Sequence, residues 1–129
     1  MERVYKSQEA CPIARTLDIL GDRWTMLVLR DLFRGLSKFG NILESLKGIS
    51  PNLLADRLKR LEQLAIVERI FYNDHPPRAE YHLTDKGRAL RPILHALAEW
   101  GIANELSEEQ KADPAFVETM ARMRAESSS

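Results

Sequence analysis

The chain has 129 residues, 44% of them apolar, which suits one domain with an ordinary core. Nineteen Lys+Arg balance nineteen Asp+Glu, and the zero net charge excludes a uniformly basic, histone-like protein. One cysteine, Cys11, excludes an intramolecular disulfide and a multi-Cys zinc site. No apolar run approaches the roughly 18 residues of a membrane span, and the first residues have no signal-peptide core. A cytoplasmic protein with no membrane association is the expectation. Charge is nonetheless uneven. Residues 104–129 carry three basic and six acidic side chains, net −3, which leaves residues 1–103 at net +3.

Residues 12–20 form the first expected helix, with Pro12 in its first turn, Ile13, Leu17 and Leu20 at helical spacing, and Gly21 as its stop. Asp22 is placed to cap a second helix over residues 23–34, whose apolar face is Trp24, Leu27, Val28, Leu32 and Phe33. Ser37 is the next expected cap, opening a short helix over residues 38–46. Ser50-Pro51 then starts a stronger helix to about Leu64, with Leu54, Leu58, Leu61 and Ala65 as its core stripe. Asn52, Asp56, Lys59 and Gln63 fall near the opposite face, with Arg57 and Arg60 flanking. The period then changes. Residues 67–72 and 79–83 read as a β-hairpin around the stiff turn Asp74-His75-Pro76-Pro77-Arg78. Thr84 caps a last long helix striped by Leu90, Ile93, Leu94, Leu97 and Trp100, with Pro92 expected to bend it from inside. A further short helix covers residues 115–123.

This order predicts a mainly α fold with a small β-hairpin wing, a winged helix-turn-helix. Residues 38–46 are the first helix of the motif and residues 51–64 the second. The exposed face of such a second helix fits a major groove about 12 Å wide. The expected organisation is a DNA-binding domain over residues 1–103 and a C-terminal helical extension over residues 104–129 that stabilises a dimer.

The chain also resembles the HxlR family of bacterial transcription regulators, which is related to the MarR group. The resemblance rests on Cys11-Pro12, Gly21-Asp22-Arg23-Trp24-Thr25, Leu29-Arg30-Asp31-Leu32, Phe39-Gly40-Asn41-Ile42 and Gly48-Ile49-Ser50. It continues through residues 54–62, Val67-Glu68-Arg69, residues 76–81, Leu83-Thr84-Asp85-Lys86-Gly87 and Trp100-Gly101. It implies a homodimeric, DNA-binding regulator that dimerises through its N- and C-terminal helices. Two departures stand out. Asp22-Arg23-Trp24 replaces a common Gly-Lys-Trp. Ala65 stands where relatives often have glycine, so the turn there either avoids positive φ or tolerates strain.

The expected DNA-binding residues follow from position and chemistry. Arg57, Lys59 and Arg60 lie mid-helix and can reach bases or phosphates, or else pair with Asp56 and Glu62. Asp56 either accepts from a cytosine amino group or tethers an arginine. Ser50 and Asn52 sit at a helix N-terminus that favours phosphate, though Ser50 also serves as a plain cap. Lys38, at a helix start, is a backbone candidate; Arg23 is one only through the resemblance, which implies a cation near the DNA backbone at its position; His75 and Arg78 belong to the wing tip. Cys11 is a redox-sensing candidate, since a cysteine at a helix start favours the thiolate; a small buried thiol is the alternative. His82 and His95 show no metal-ligand spacing. No nucleophile–base set and no phosphate loop appear, so neither an enzyme nor a cofactor is expected. The partners expected are double-stranded DNA and a second copy of the chain. A small-molecule effector at the dimer seam, near Trp24, Phe33 or Trp100, stays open, as do a signal through Cys11 and no signal at all. The alternative function is a winged-helix module that binds protein rather than DNA.

Overall fold

Local signals set most of the helices. A computed structural model describes residues 6–74 and 77–127. Helix α1 (Pro12–Leu20) begins with proline and is capped by Cys11, whose Sγ accepts from the Ala14 N–H at 3.4 Å. Helix α2 (Thr25–Phe33) starts two residues later than the sequence suggests. Asp22 still supplies its cap, because its carboxylate accepts from the backbone N–H groups of Trp24 and Thr25. Helix α3 (Phe39–Ser45) is preceded by Lys38, not Ser37, in the capping position. The Ser37 carbonyl instead accepts from the Tyr81 N–H at 2.8 Å, and Lys38 bridges to Glu80, so this segment pairs with the hairpin. Helix α4 (Pro51–Gln63) has the expected Ser50 cap on the Leu53 N–H.

The hairpin is longer than the sequence suggests. Strands β1 (Val67–Asp74) and β2 (Pro77–Leu83) pair antiparallel, Val67 opposite Leu83, with an irregularity between Phe71 and Asn73. After it, the single long helix expected from the periodicity is two helices. Helix α5 (Asp85–Arg88) is one turn capped by Thr84, and α6 (Arg91–Asn104) begins anew with Pro92 in its first turn. Proline is at home there, because the N–H it lacks would have no intrahelical partner. It therefore starts a helix and bends none. Helices α7 (Glu108–Lys111) and α8 (Pro114–Ser127) follow. The turn α7 was not anticipated, although Ser107 and Gln110 form a reciprocal capping box legible in Ser-x-x-Gln.

The core joins α2, α3, α4 and the root of the hairpin. Val28, Leu29, Ile42, Leu54 and Leu58 are fully buried, and Leu61, Ile66 and Val67 nearly so. Burial of that kind contributes about 1.5–3 kcal/mol for each large side chain. Beyond this core the apolar stripes lie open. Ile13 and Leu17 on α1, Leu97 and Trp100 on α6, and Val117 on α8 are all exposed. Among the described residues, no helix is long and apolar enough to cross a membrane.

Candidate nucleic-acid interface

Helix α4 separates its residues by face. Leu54, Leu58 and Leu61 point into the core, while Asn52, Ala55, Asp56, Lys59 and Gln63 are exposed. The exposed set recurs at helical spacing, so one solvent-facing stripe presents an amide, a carboxylate and an ammonium. Such groups can address adenine, cytosine and guanine edges respectively. Ser50 is exposed at the helix start, where its hydroxyl is already used as the cap.

The two arginines of α4 behave differently. Arg57 and Arg60 lean towards the α1–α2 junction and are only about one-fifth exposed. Arg57 Nε lies 3.0 Å from Asp22 Oδ2, and its Nη1 donates to Asp56 at 2.9 Å. Arg60 donates to the Asp18 carbonyl and has Nη1 3.9 Å from Asp22 Oδ1. Asp22 therefore serves two purposes: it caps α2 and anchors the flank of the recognition helix. Burial disfavours its carboxylate, but the Thr25 hydroxyl, the Trp24 N–H, the Arg57 guanidinium and the Thr25 N–H outweigh that and hold its pKa below the ordinary value. The position of Arg57 beside the leucine stripe hinted at this inward lean. Nothing local in the sequence identified Asp22 as the partner.

The exit from α4 fixes the wing. Ile66 N–H donates to the Leu61 carbonyl at 2.9 Å and Ala65 N–H to Glu62 at 3.0 Å, the paired bonds of a Schellman ending. Such an ending needs a left-handed residue, and Ala65 adopts φ 60°. Of the two alternatives raised by the missing glycine, the chain takes strain, costing roughly 1 kcal/mol. Thr84 and Lys86 clamp this turn. The Thr84 hydroxyl donates to the Ala65 carbonyl at 2.5 Å, and Lys86 Nζ to the Leu64 carbonyl at 2.8 Å. Gly87 fits beneath, because a Cβ there would stand 2.2 Å from the Ile66 carbonyl oxygen. Residues 83–87 thus tie the hairpin root to the end of α4, a role their sequence did not disclose.

The remaining candidates surround the stripe. Lys38 is exposed and sits 5.0 Å from the Tyr72 ring of β1, so the start of α3 and the wing share a cation–π contact. Tyr72 was not singled out from the sequence. Arg23 is exposed and packs over Trp24 at 4.8 Å. Arg78 is exposed in β2, opposite Asn73, so it belongs to a strand and not to the turn. His75 lies outside the described residues. Cys11 is half-buried and far along the chain from the stripe, at the opposite end of α1 from Asp18. His82 pairs with Glu80 at 3.1 Å. No group of three or more His, Cys, Asp or Glu able to hold a metal occurs among the described residues.

Known proteins resemble this arrangement in sequence and shape. A family model described as HxlR-like helix-turn-helix matches residues 19–109. The HTH-type transcriptional regulator sll1512 of Synechocystis sp. is 40% identical over 97 residues, 75% of this chain and 72% of that protein. Among solved structures, the candidate transcription factor PA1607 is 41% identical with a TM-score of 0.73, over 81% of this chain and 72% of its own. The redox regulator HypR in its reduced form is 34% identical with a TM-score of 0.68, over 72% of this chain and 92% of its own.

Proposed function

The chain belongs to the HxlR-like helix-turn-helix family of transcriptional regulators, and from that premise we propose that it binds a two-fold promoter site in the cytoplasm as a homodimer. The observation that carries the reading is the polar stripe Asn52–Asp56–Lys59, exposed on a helix whose other face is wholly buried. Two such helices must stand about 34 Å apart to enter successive turns of one groove, which a dimer supplies. The open apolar stripes of α1, α6 and α8 are the surfaces that a second copy would cover, with residues 104–129 adding to that contact. Ser50, Lys38, Arg23, His75 and Arg78 would hold the backbone. Arg57 and Arg60 would position α4 through Asp22 and reach DNA only where a phosphate outcompetes that carboxylate. The module acts by occupancy and has no chemical step to catalyse.

The test is fluorescence anisotropy on DNA from upstream of the gene, at two salt concentrations, with scrambled DNA as control. Preferential, salt-dependent binding supports the reading; equal binding to both fragments removes sequence specificity, and no binding at low salt leaves the protein-interaction alternative. Lys59→Ala should cost about 1–3 kcal/mol of affinity if the contact is to a base. Arg60→Ala should act first on stability.

A second observation supports a redox input. Cys11 caps α1 through its half-buried sulfur, and the similar protein HypR is a redox regulator. Adduct formation with an electrophile, or a bond between the Cys11 thiols of two subunits with loss of two electrons and two protons to an oxidant, would break the cap. Diamide should weaken DNA binding by the wild type and spare Cys11→Ser; equal loss in both removes Cys11 as the sensor.

A further inference from the structure

The start of α3 and the wing are joined across a whole strand. Lys38 is extended and runs beside β2: it bridges to Glu80, and the Ser37 carbonyl accepts from the Tyr81 N–H at 2.8 Å. Glu80 also pairs with Ile70 of β1, so Lys38 and β1 flank β2 on opposite edges. The Lys38 ammonium nevertheless stands 5.0 Å from the ring of Tyr72, which belongs to β1. The lysine stem therefore crosses β2 and ends on an aromatic ring that is itself 48% exposed. An irregularity in the hairpin sets that ring. Ala79 pairs with Phe71 and Arg78 with Asn73, which leaves Tyr72 as an extra, unopposed residue of the kind a β-bulge carries. A bulge breaks the alternation of faces and re-aims the side chain it bears.

The cation held in this way is not neutralised. The Glu80 carboxylate, in register with Lys38, pairs with His82 Nε2 at 3.1 Å, and no ion pair to Lys38 occurs among the described residues. Arg69 shows the other case. It stands 5.3 Å from the Phe71 ring but also 3.5 Å from Glu62 of α4, so its charge is met within the chain. A lysine is a point charge on a flexible stem, and ordering that stem opposes any contact it makes. A carboxylate would supply the order and compete with phosphate for the charge. An aromatic ring supplies the order and leaves the charge in place.

We propose that Tyr72 is a positioning residue for DNA binding: its ring holds Lys38 across the hairpin so that the ammonium meets a backbone phosphate beside the groove entered by α4. That role rests on the reading of the chain as a DNA-binding regulator, in which the first helix of the motif crosses the backbone, and it deepens that reading by tying this helix to the wing. The contribution is the same on any sequence, because phosphate contacts carry no base information.

Two measurements on the full chain test it. Without DNA, NMR should find the Lys38 ε-methylene protons shifted upfield by the ring in the wild type and in Tyr72→Phe, and unshifted in Tyr72→Leu. No upfield shift in the wild type overturns the proposal whatever DNA binding shows. With DNA, anisotropy is read against salt on the upstream and the scrambled duplex. Tyr72→Leu should weaken binding to both about two- to fivefold, the scale of an exposed cation–π contact, while Tyr72→Phe binds like the wild type. Lys38→Gln should lower the slope of log affinity against log salt by about 0.9 per subunit, the value for one phosphate. In the Lys38→Gln background Tyr72→Leu should change nothing further, whereas a ring that merely stiffens the hairpin would act equally in both backgrounds. Additive losses, an equal loss in Tyr72→Phe, a loss confined to the upstream duplex, or an unchanged slope in Lys38→Gln each overturn the role of Tyr72 and leave the DNA-binding reading standing. A wild type that binds neither duplex at low salt overturns both.

Discussion

Helices α4 and α6 have similar lengths and opposite fates. Leu54, Leu58 and Leu61 of α4 are almost wholly removed from solvent, and its exposed positions are polar apart from Pro51 and Ala55. No residue of α6 is fully buried, and Leu97 and Trp100 are 54% and 62% exposed. The first helix is complete within one chain. The second is complete only when something covers it, because burial is what turns an apolar stripe into stability. The half of the molecule that would meet DNA is therefore finished by its own core, and the half that would meet a second copy is not.

That contrast can be broken most forcefully in the core. Leu58→Ala should cost about 2–5 kcal/mol in urea unfolding, because a fully buried leucine leaves a cavity. Leu97→Ala should change the stability of the isolated chain by less than about 0.5 kcal/mol, the range for exposed positions. A large loss at Leu97 in dilute monomer would show that α6 is already covered within the chain. Trp100→Ala should instead weaken self-association by about 2 kcal/mol or more, read by sedimentation equilibrium, if its ring anchors the dimer. An unchanged dimer constant would move the interface elsewhere.

Asp22 probes the seam between the two halves. Asp22→Asn should cost about 1–3 kcal/mol, since it leaves partly buried arginine donors without their charged acceptor. The sign of its pH dependence follows from its lowered pKa. The carboxylate contributes fully above its unfolded value of about 4, and the contribution is lost as pH falls through the lower folded value. The wild type should thus lose stability below about pH 4 more steeply than Asp22→Asn. Parallel acid limbs would mean that the carboxylate gains nothing from its neighbours. The smallest expected effect lies at the α4 exit. Ala65→Gly should stabilise the chain by about 0.5–1 kcal/mol in urea by relieving φ 60°. A loss there would mean that the strain is offset by contacts of the Ala65 methyl group.

What the sequence revealed depended on the reach of each signal. Caps and proline positions act over three or four residues, so Ser50-Pro51 located α4 and Pro12 located α1. The stripe of α4 was legible for the same reason: one helix of known period sorts its own faces. The break between α5 and α6 was not, because Leu90 and Leu94 continue a helical rhythm across it. Gly87 pressed against Ile66, and Thr84 held by the end of α4, tie the start of α5 to the α4 exit.

The candidate site divides along the same line. Sequence alone determined that Asn52, Asp56 and Lys59 share a polar face, that the element order is that of a winged helix, and that the charge balance excludes a uniformly basic binder. Only the tertiary structure decided that Arg57 and Arg60 are held by Asp22, that Lys38 meets Tyr72, and that Arg122 of α8 donates to the Arg34 carbonyl at the end of α2. The physical reason is that propensity, capping and amphipathic period are properties of neighbouring residues. The partner of a charged side chain is whichever group the packing of distant elements brings within hydrogen-bond reach.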